Sequence, residues 1–300
     1  MEQHDTGQTA IRPVDAVLLA AGINHVPLYP GYRPDLKAVL EFGGEPSLVH
    51  VLRALGAAQL IRDICVVGPP DRLRPMVEQA GLTSGVAFIP GGETLVDSVT
   101  RGLEHFSGND PVLLVTADLP LLSPDAVDEF VARCQARETF YDENIYLSGV
   151  DRSSFTGRWR RAPVKFLRFA RQAVVHGNLA LLSPSLAGHE LVRRKLDALY
   201  RVRKRPFRSA FVLGLRIALA YVLGAYLMRM VTLRRLAGLI GSSLKLGLVP
   251  VKVGHPGIAL DVDEPKDYRF VKRLLEQDSA KHQPEGRGTV QVLSLIHISE

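Results

Sequence analysis

Three aspartates follow apolar runs, and their positions would allow their carboxylates to bind a metal ion together. Asp118 comes directly after the apolar run "VLLVTA", so an ionised carboxylate would project from the end of a strand. In "ALDVDEPKDY", Asp261 and Asp263 are two residues apart and share a face if the segment is extended. Carboxylate oxygens are the ligands of Mg²⁺, a hard cation that bridges phosphates. The three aspartates therefore predict a magnesium site that serves phosphate chemistry.

These carboxylates also have structural interpretations. Asp118 could cap the helix expected near Ser123, but it lies several residues too early. Asp263 could cap the helix expected near Pro265, since proline is favoured in a first turn. Asp267 is expected to be exposed on that helix and structural. Asp263 thus stays open between metal ligand and helix cap.

The loop after the first apolar run predicts phosphate binding. Ala21 and Gly22 are small, so backbone N–H groups there could turn toward one point without obstruction by side chains. Neither G-x-G-x-x-G nor G-x-x-x-x-G-K-[ST] occurs, which excludes a Rossmann dinucleotide-binding loop and a Walker A phosphate-binding loop. The lone Lys37 would neutralise triphosphate charge, or it is a surface lysine at a strand edge. The pattern favours a phosphate loop of another type.

Apolar runs alternate with helical patterns up to about residue 150. The runs at 16–20, 64–67, 86–89 and 112–116 lack two-residue alternation, which is typical of strands buried on both faces. Helical spacing occurs in "SLVHVLRALGAA", "DRLRPMVEQAG" and "TLVDSVTRGLEHF". This order predicts a mostly parallel, doubly wound sheet with right-handed crossovers, and ligands at the carboxyl ends of its strands.

Charge is distributed unevenly along the 300 residues. Residues 151–245 carry 20 Lys and Arg against 3 Asp and Glu, a net charge of +17, whereas the rest of the chain carries −11. An anionic substrate, a membrane surface and nucleic acid all suit such a block. Nucleic acid is not expected, because no recognition helix, zinc site or RNP motif accompanies the charge. Lys204 in "RVRKRPF" could bind an acceptor's phosphate or belong to a solvated charge run.

The cysteines, the N-terminus and one apolar stretch indicate the cellular compartment and the relation to a membrane. Cys65 lies in an apolar run far from Cys134, which predicts buried free thiols rather than a disulfide. The polar N-terminus does not resemble a signal peptide, so a cytoplasmic protein is expected. The uncharged stretch 217–228 is too short to span a bilayer. It predicts a buried helix or an interfacial one, which leaves open a peripheral contact with lipid at the inner membrane face.

Seven motifs occur in the order of a known superfamily. They are "LLAAG" (18–22), Lys37, "GGEPSLVHVLRAL" (43–55), "GGETLVDSVTRGL" (91–103), "TADLPLLSP" (116–124), "HGNLALLSP" (176–184) and "IALDVDEPKDY" (258–268). Together they resemble the nucleotidyltransferase superfamily of MobA-like NTP transferases, which includes molybdenum cofactor guanylyltransferase-like and sugar-phosphate nucleotidyltransferase-like enzymes. The loop "INHVPLYPGYR" departs from the family, whose members commonly have a second glycine and an arginine there. Arg33 is expected to fill that arginine's role.

The resemblance implies a three-layer α/β/α Rossmann-like fold of the nucleotide-diphospho-sugar transferase (GT-A) type with a basic helical insertion. It also implies Mg²⁺-dependent transfer of a nucleoside monophosphate from an NTP to an anionic phosphorylated acceptor, with Lys37 and Asp118 as catalytic residues. Catalysis would rest on positioning and charge neutralisation, since the nucleophile is already anionic. The implied nucleotide-binding residues are Leu19, Ala20, Ala21, Gly22, Arg33, Lys37, Gly92 and Ser98. The implied acceptor-binding residues are Gly177 and Asn178, in a turn with His176, and Lys204.

Four of these binding residues are also of types that ordinary turns require. Gly92 and Ser98 would suit any β–α connection, and a turn needs Gly177 and Asn178 for backbone reasons alone. The expected organisation is a disordered N-terminus (1–13), an NTP-binding half (14–150), a basic, helix-rich acceptor-binding insertion (151–245), a final strand and helix (246–278) and a tail (279–300) whose last residues are not expected to be native.

Two other functions share parts of this pattern. A nucleotide-sugar-dependent glycosyltransferase has the same architecture, but it usually carries a D-x-D pair at the fourth strand, where this chain has the single Asp118. A non-catalytic membrane- or polyanion-binding module would have lost the metal carboxylates or the lysine, and both are intact here. The sequence therefore favours the nucleotidyltransferase.

Overall fold

The computed structural model describes residues 11–106, 108, 110–136, 144–169, 172–188, 190, 194, 232–244 and 246–281. Several sequence predictions lie outside these residues: Lys204 and its neighbours, the uncharged stretch 217–228, and most of the terminal segments. Among the described residues, no helix is long and apolar enough to cross a membrane.

Strands and helices alternate as the sequence predicts. The strands are β1 (Val14–Leu19), β2 (Ile23–Asn24), β3 (Asp35–Leu36), β4 (Glu41–Phe42), β5 (Glu45–Pro46), β6 (Ile61–Val67), β7 (Val86–Ile89), β8 (Val112–Thr116), β9 (Asn144–Asp151), β10 (Leu167–Phe169), β11 (Gln172–Leu182) and β12 (Gly247–Val253). The helices are α1 (Ser47–Ala57), α2 (Pro70–Gln79), α3 (Leu95–His105), α4 (Pro124–Gln135), α5 (Leu233–Leu244) and α6 (Pro265–Lys281). The Ser123 hydroxyl accepts a hydrogen bond from the Ala126 N–H and so caps α4 where a helix start was expected.

The central sheet has the strand order β12-β9-β11-β8-β1-β6-β7, with β10 added beside β11. β1 runs parallel to β6 and β8, and β12 runs parallel to β9. The strand β11 is antiparallel to both of its neighbours, β8 and β9. The mostly parallel sheet predicted from the sequence is confirmed.

Helices cover both faces of this sheet. Along β1, Ala16 and Leu18 join an apolar cluster with α1, α2 and α4, whereas Val17 joins a second cluster with Leu103 of α3. Successive strand residues point to opposite faces, so both clusters depend on the same strand. The result is the three-layer α/β/α arrangement, which explains why β1 is apolar at consecutive positions.

Residues 172–182 change the expected picture of the insertion. We expected 151–245 to be a basic, helix-rich insertion, but β11 lies between β8 and β9 within the central sheet. Its apolar residues Leu179 and Leu181 are buried in the main core. The predicted turn at His176–Asn178 is wrong for the same reason: these residues lie within β11, where its register against β9 shifts.

Both cysteines are free and buried, as predicted. Burial raises the pKa of the Cys65 thiol to about 11, because the thiolate would lose its hydration. The buried thiol is therefore protonated near neutral pH and acts as a small apolar side chain.

Candidate active site

Backbone hydrogen bonds align the carboxyl ends of the central strands. The Ala20 N–H donates to the Val67 carbonyl at 2.8 Å, and the Ala117 N–H donates to the Leu19 carbonyl at 3.0 Å. The segment after β12 joins this edge because the Val262 N–H donates to the Asp118 carbonyl at 3.2 Å. Three segments that are far apart in the chain therefore meet at one place, as expected for a doubly wound sheet.

A carboxylate cluster forms where these segments meet. One oxygen from each of Asp118, Asp261 and Asp263 lies within 4.8 Å of the others. The Lys37 Nζ lies 2.6 Å from Asp118 Oδ2 and also pairs with Asp263 Oδ1. The structure thus brings together all four residues that the sequence suggested for metal binding and charge neutralisation.

The charges in this cluster do not balance. Desolvation favours the neutral amine of Lys37, but the attraction of Asp118 and Asp263 outweighs it and raises the pKa of the lysine well above its ordinary value. The pKa of Asp261 is raised to about 6, mainly because burial removes water from its carboxylate and also because Asp118 and Asp263 repel its negative charge. One ammonium thus faces three carboxylates, and the excess negative charge favours a divalent cation.

The cluster fits Mg²⁺ by its donor atoms as well. Asp118 is only 7% exposed, and its Oδ1 is buried without a hydrogen-bond partner among the described residues. A buried carboxylate oxygen without a hydrogen-bond donor is costly unless a cation satisfies it. With further carboxylate oxygens nearby, this atom belongs to a set of hard oxygen donors of the kind that Mg²⁺ prefers.

Asp267 takes the helix-capping role that was considered for Asp263. The Asp267 Oδ2 accepts hydrogen bonds from the Glu264 N–H at 2.8 Å and the Asp263 N–H at 3.3 Å. It thereby satisfies backbone donors at the start of α6, and the Asp263 carboxylate points to Lys37 instead. Asp267 is structural, as predicted, but it is buried rather than exposed, because these hydrogen bonds hold it against the backbone.

Two polar residues that the sequence analysis missed support the cluster. The Asn24 Nδ2 donates to the Asp263 carbonyl at 3.3 Å, and its Oδ1 accepts from the Val26 N–H at 2.9 Å. The Ser47 hydroxyl donates to the Ala117 carbonyl at 2.7 Å and ties α1 to the segment that carries Asp118. A serine before a helical pattern resembles an ordinary cap, so nothing in the sequence pointed to this contact.

The loop after β1 is held at its base. The Lys37 N–H donates to the Gly22 carbonyl at 2.8 Å, and β2 pairs with β3 just outside this bond. The lysine at the end of the loop is thereby brought back beside its beginning, although 15 positions separate the two residues in the sequence. Arg33 lies exposed in the same loop, so its expected role at the phosphates stays a prediction.

The predicted nucleotide-binding residues line the same edge. Ala20 is buried directly after Leu19, the last residue of β1. A Cβ atom on Gly91 would lie 3.1 Å from the Cβ of Ala21, so the loops after β1 and β7 adjoin. The Gly92 N–H donates to the Ser98 hydroxyl at 3.0 Å.

Gly92 also has a packing reason to be glycine. A Cβ at this position would overlap the side chain and backbone of Asp97 in α3. Ser98 is buried, with 4% exposure, and holds the turn through its hydroxyl. The contacts of Gly92 and Ser98 explain both residues structurally, so their role at the base stays a prediction.

The acceptor-side residues approach the cluster from β11. The Asn178 Nδ2 lies 3.3 Å from Asp261 Oδ1 and 3.3 Å from the Ile258 carbonyl oxygen, so it orients the aspartate. A Cβ on Gly177 would overlap Ser148 and Ile258, and only glycine fits this approach. His176 is exposed. The structure therefore places Gly177 and Asn178 beside the carboxylates, and their contact with an acceptor stays a prediction.

Comparison with known proteins supports the resemblance seen in the motifs. Residues 16–151 match the family model of the MobA-like NTP transferase domain, which confirms the predicted superfamily resemblance. The 2-C-methyl-D-erythritol 4-phosphate cytidylyltransferase of Streptomyces coelicolor is 35% identical over 122 residues, which are 39% of this chain and 44% of that enzyme. The chain spans about half the length of the curated relatives it matches.

Solved structures show the same fold. A hypothetical transferase from Thermus thermophilus is similar with a TM-score of 0.66 and 25% identity, over 85% of this chain and 99% of that one. A nucleotidyl transferase from Methanothermobacter thermautotrophicus matches with a TM-score of 0.52 and 16% identity, over 89% and 99% of the two chains. The expected Rossmann-like α/β fold is confirmed.

Proposed function

We propose that this chain is a Mg²⁺-dependent nucleotidyltransferase that transfers a nucleoside monophosphate from an NTP to a phosphorylated acceptor and releases pyrophosphate. One observation carries the proposal: Lys37 and the three carboxylates meet beside the small-residue loop after β1. A phosphate loop, a cation and an oxygen-rich metal site at one sheet edge are the parts that phosphoryl transfer needs.

The roles of the residues follow from their charge and position. Backbone N–H groups near Ala21 and Gly22 would hold the phosphates. Lys37 is kept protonated by its carboxylate neighbours and would stabilise charge on the triphosphate. Asp118, Asp261 and Asp263 would hold Mg²⁺, which supplies further charge neutralisation to the phosphates when bound.

The acceptor's own chemistry removes the need for a general base. A phosphate monoester is anionic at neutral pH, so its oxygen can attack the α-phosphorus directly. The cluster matches this requirement, because its lysine is protonated and its carboxylates are suited to a metal ion. Gly177 and Asn178 stay our candidates for the acceptor side, with Lys204 and Arg33 as further phosphate contacts. The division into an NTP half and an acceptor-side segment belongs to the same proposal, as does a cytoplasmic location.

The relatives suggest which substrates to test first. Several of them are named as cytidylyltransferases of 2-C-methyl-D-erythritol 4-phosphate. We therefore infer CTP as the first nucleotide and a phosphorylated polyol as the first acceptor. Another relative is named for an amino-dideoxy-octulosonate, an acid without phosphate in its name, so acceptors of that class serve as the contrast.

Pyrophosphate release tests the proposal. Each of CTP, GTP, ATP and UTP is incubated with Mg²⁺ and a panel of phosphorylated polyols, inositol phosphates and polyprenyl phosphates, with sugar acids that lack phosphate as the contrast. We expect acceptor-dependent release that Asp118→Asn abolishes and that Asp110→Asn, the same change just before the other end of β8, leaves intact. Consumption of a nucleotide-sugar without release from any NTP would instead establish the glycosyltransferase. Release that persists in Asp118→Asn would remove the cluster from the mechanism.

A further inference from the structure

A basic cavity is formed by residues outside the carboxylate cluster. A cavity of about 360 Å³ opens between the turn at 157–161 and helix α6. Four arginines line it together with two apolar residues of α6, namely Arg158, Arg160, Arg161, Arg273, Phe270 and Leu274. We call this the arginine cavity.

The turn that supplies three of these arginines is anchored in the core. Trp159 packs against two apolar clusters, and its N–H and carbonyl bond to Thr156 and Ala162 at 2.9 Å each. Gly157 has a φ of +51°, which permits the tight turn. Because Trp159 is fixed, the flanking arginines are held at the rim of the cavity instead of extending from a free loop.

One arginine closes the turn onto α6. Arg158 donates to both carboxylate oxygens of Asp278, at 2.5 and 2.9 Å, and its guanidinium carbon lies 4.9 Å from the Trp159 ring centroid. This two-pronged pair is geometrically specific and fixes the distance between turn and helix. Arg158 is therefore a structural member of the cavity, neutralised by Asp278.

The other three arginines carry uncompensated charge. No ion pair joins Arg160, Arg161 or Arg273 to an acidic side chain in the described parts of the chain, whereas Arg158 in the same turn pairs with Asp278. Guanidinium groups that surround one cavity repel each other unless an anion lies between them. A solvated charge run, in contrast, has no reason to gather around a cavity from two distant segments.

We infer that the arginine cavity binds the phosphate groups of a second ligand. Guanidinium matches phosphate through paired N–H donors, and Phe270 and Leu274 provide an apolar wall for the part of the ligand next to the phosphate. Arg273 lies about 12 Å beyond the start of α6, since a helix rises about 1.5 Å per residue. The residues that line the cavity are all different from those of the carboxylate cluster, and the inference does not depend on the proposed function.

Isothermal titration with inorganic pyrophosphate, without Mg²⁺ and with EDTA, tests the inference. Under these conditions the three carboxylates repel the anion from the other site, so binding that is weakened by substitution of the cavity arginines is assigned to the arginine cavity. We expect wild-type protein to bind one pyrophosphate, and Arg161→Ala/Arg273→Ala to bind at least about tenfold more weakly. Arg53→Ala removes a paired surface arginine elsewhere and serves as the control with unchanged affinity.

A second arm identifies the source of the phosphate. The same proteins are sedimented with vesicles of neutral lipid alone or with added phosphatidic acid. Binding to the acidic vesicles that the double variant loses would assign the cavity to lipid headgroups, whereas pyrophosphate binding without vesicle binding would assign it to a soluble ligand. Absence of both, or equal binding by wild type and a double variant with unchanged thermal unfolding, would overturn the inference.

Discussion

Aspartates pair with a cation at both ends of the central sheet, but the two arrangements differ. At the amino ends of the strands, Arg62 donates to both oxygens of Asp15, at 2.8 and 2.7 Å, and lies near Asp110. These hydrogen bonds raise the pKa of Arg62 further above its ordinary value. Each buried oxygen of Asp15 has a donor, so this cluster is closed and serves the fold.

At the carboxyl ends, three aspartates share one lysine. The Asp118 Oδ1 has no hydrogen-bond partner among the described residues, and the pKa of Asp261 is raised by burial and by its neighbours. Aspartates and a cation therefore form a structural pair at the amino ends, where every carboxylate oxygen of Asp15 has a donor. At the carboxyl ends they form a candidate binding site, because carboxylate oxygens outnumber the donors. Substitutions at the two ends of the sheet should therefore affect different properties: activity at the carboxyl ends and stability at the amino ends.

Asp118→Asn is expected to have the largest effect. It removes the buried carboxylate that pairs with Lys37, so we expect kcat/KM to fall about a thousandfold or more in the pyrophosphate-release assay. Asp15→Asn, the same change at the other end, should leave kcat/KM within about twofold. Equal losses in the two variants would show that the two clusters do not differ in function.

Lys37→Met is expected to lower kcat about a hundredfold, because the triphosphate would lose its fixed positive charge. Methionine keeps the length of the side chain, so the loop after β1 should keep its course. The measurement is steady-state kinetics at saturating Mg²⁺. Lys252→Met, which breaks an ion pair with Asp151 away from the cluster, is the matched control and should keep wild-type kcat.

Asp15→Asn should act on stability instead. It leaves a guanidinium without its two-pronged partner, and we expect the free energy of unfolding to fall by about 1–3 kcal/mol. Urea unfolding followed by circular dichroism measures this difference. A stability equal to that of the wild type would contradict the view that the amino-end cluster is structural.

Asp261→Asn should raise the stability of the metal-free protein at neutral pH. The folded-state pKa of Asp261 is about 6, above the ordinary value of 3.8, so the folded protein holds this proton more tightly. Wild-type stability therefore falls as pH rises from about 4 to 6 and stays at the lower value above 6. The asparagine has no such penalty and keeps an oxygen for the Asn178 amide.

We expect a gain on the order of 1 kcal/mol at pH 8 in EDTA and no gain at pH 4, since a partly exposed carboxylate is screened by water. Urea unfolding at the two pH values measures it. Added Mg²⁺ should stabilise the wild type but not the variant, because a ligand stabilises the state that binds it. A variant less stable than wild type at pH 8 would show that the charge of Asp261 does not destabilise the metal-free protein.

Local pattern explains what could be predicted. The apolar runs in β1, β6 and β8 occupy consecutive positions because each of these strands is buried on both faces, and this signal is local in the sequence. The helical stripe that includes Leu48 and Leu52 is equally local. The strand β11 was missed because basic residues precede it and glycine and asparagine interrupt it, which resembles a turn.

The residue types that could act in the site follow from local sequence alone: an aspartate after β8, a pair of aspartates before α6, a lysine after a small-residue loop, and a basic segment. Which of these residues are in contact depends on the tertiary structure. Asp118 lies 81 residues from Lys37, and Asn178 lies 83 residues from Asp261, yet hydrogen bonds join both pairs. Parallel pairing brings strand ends together regardless of chain distance, so side-chain neighbours follow from register, which no local pattern encodes.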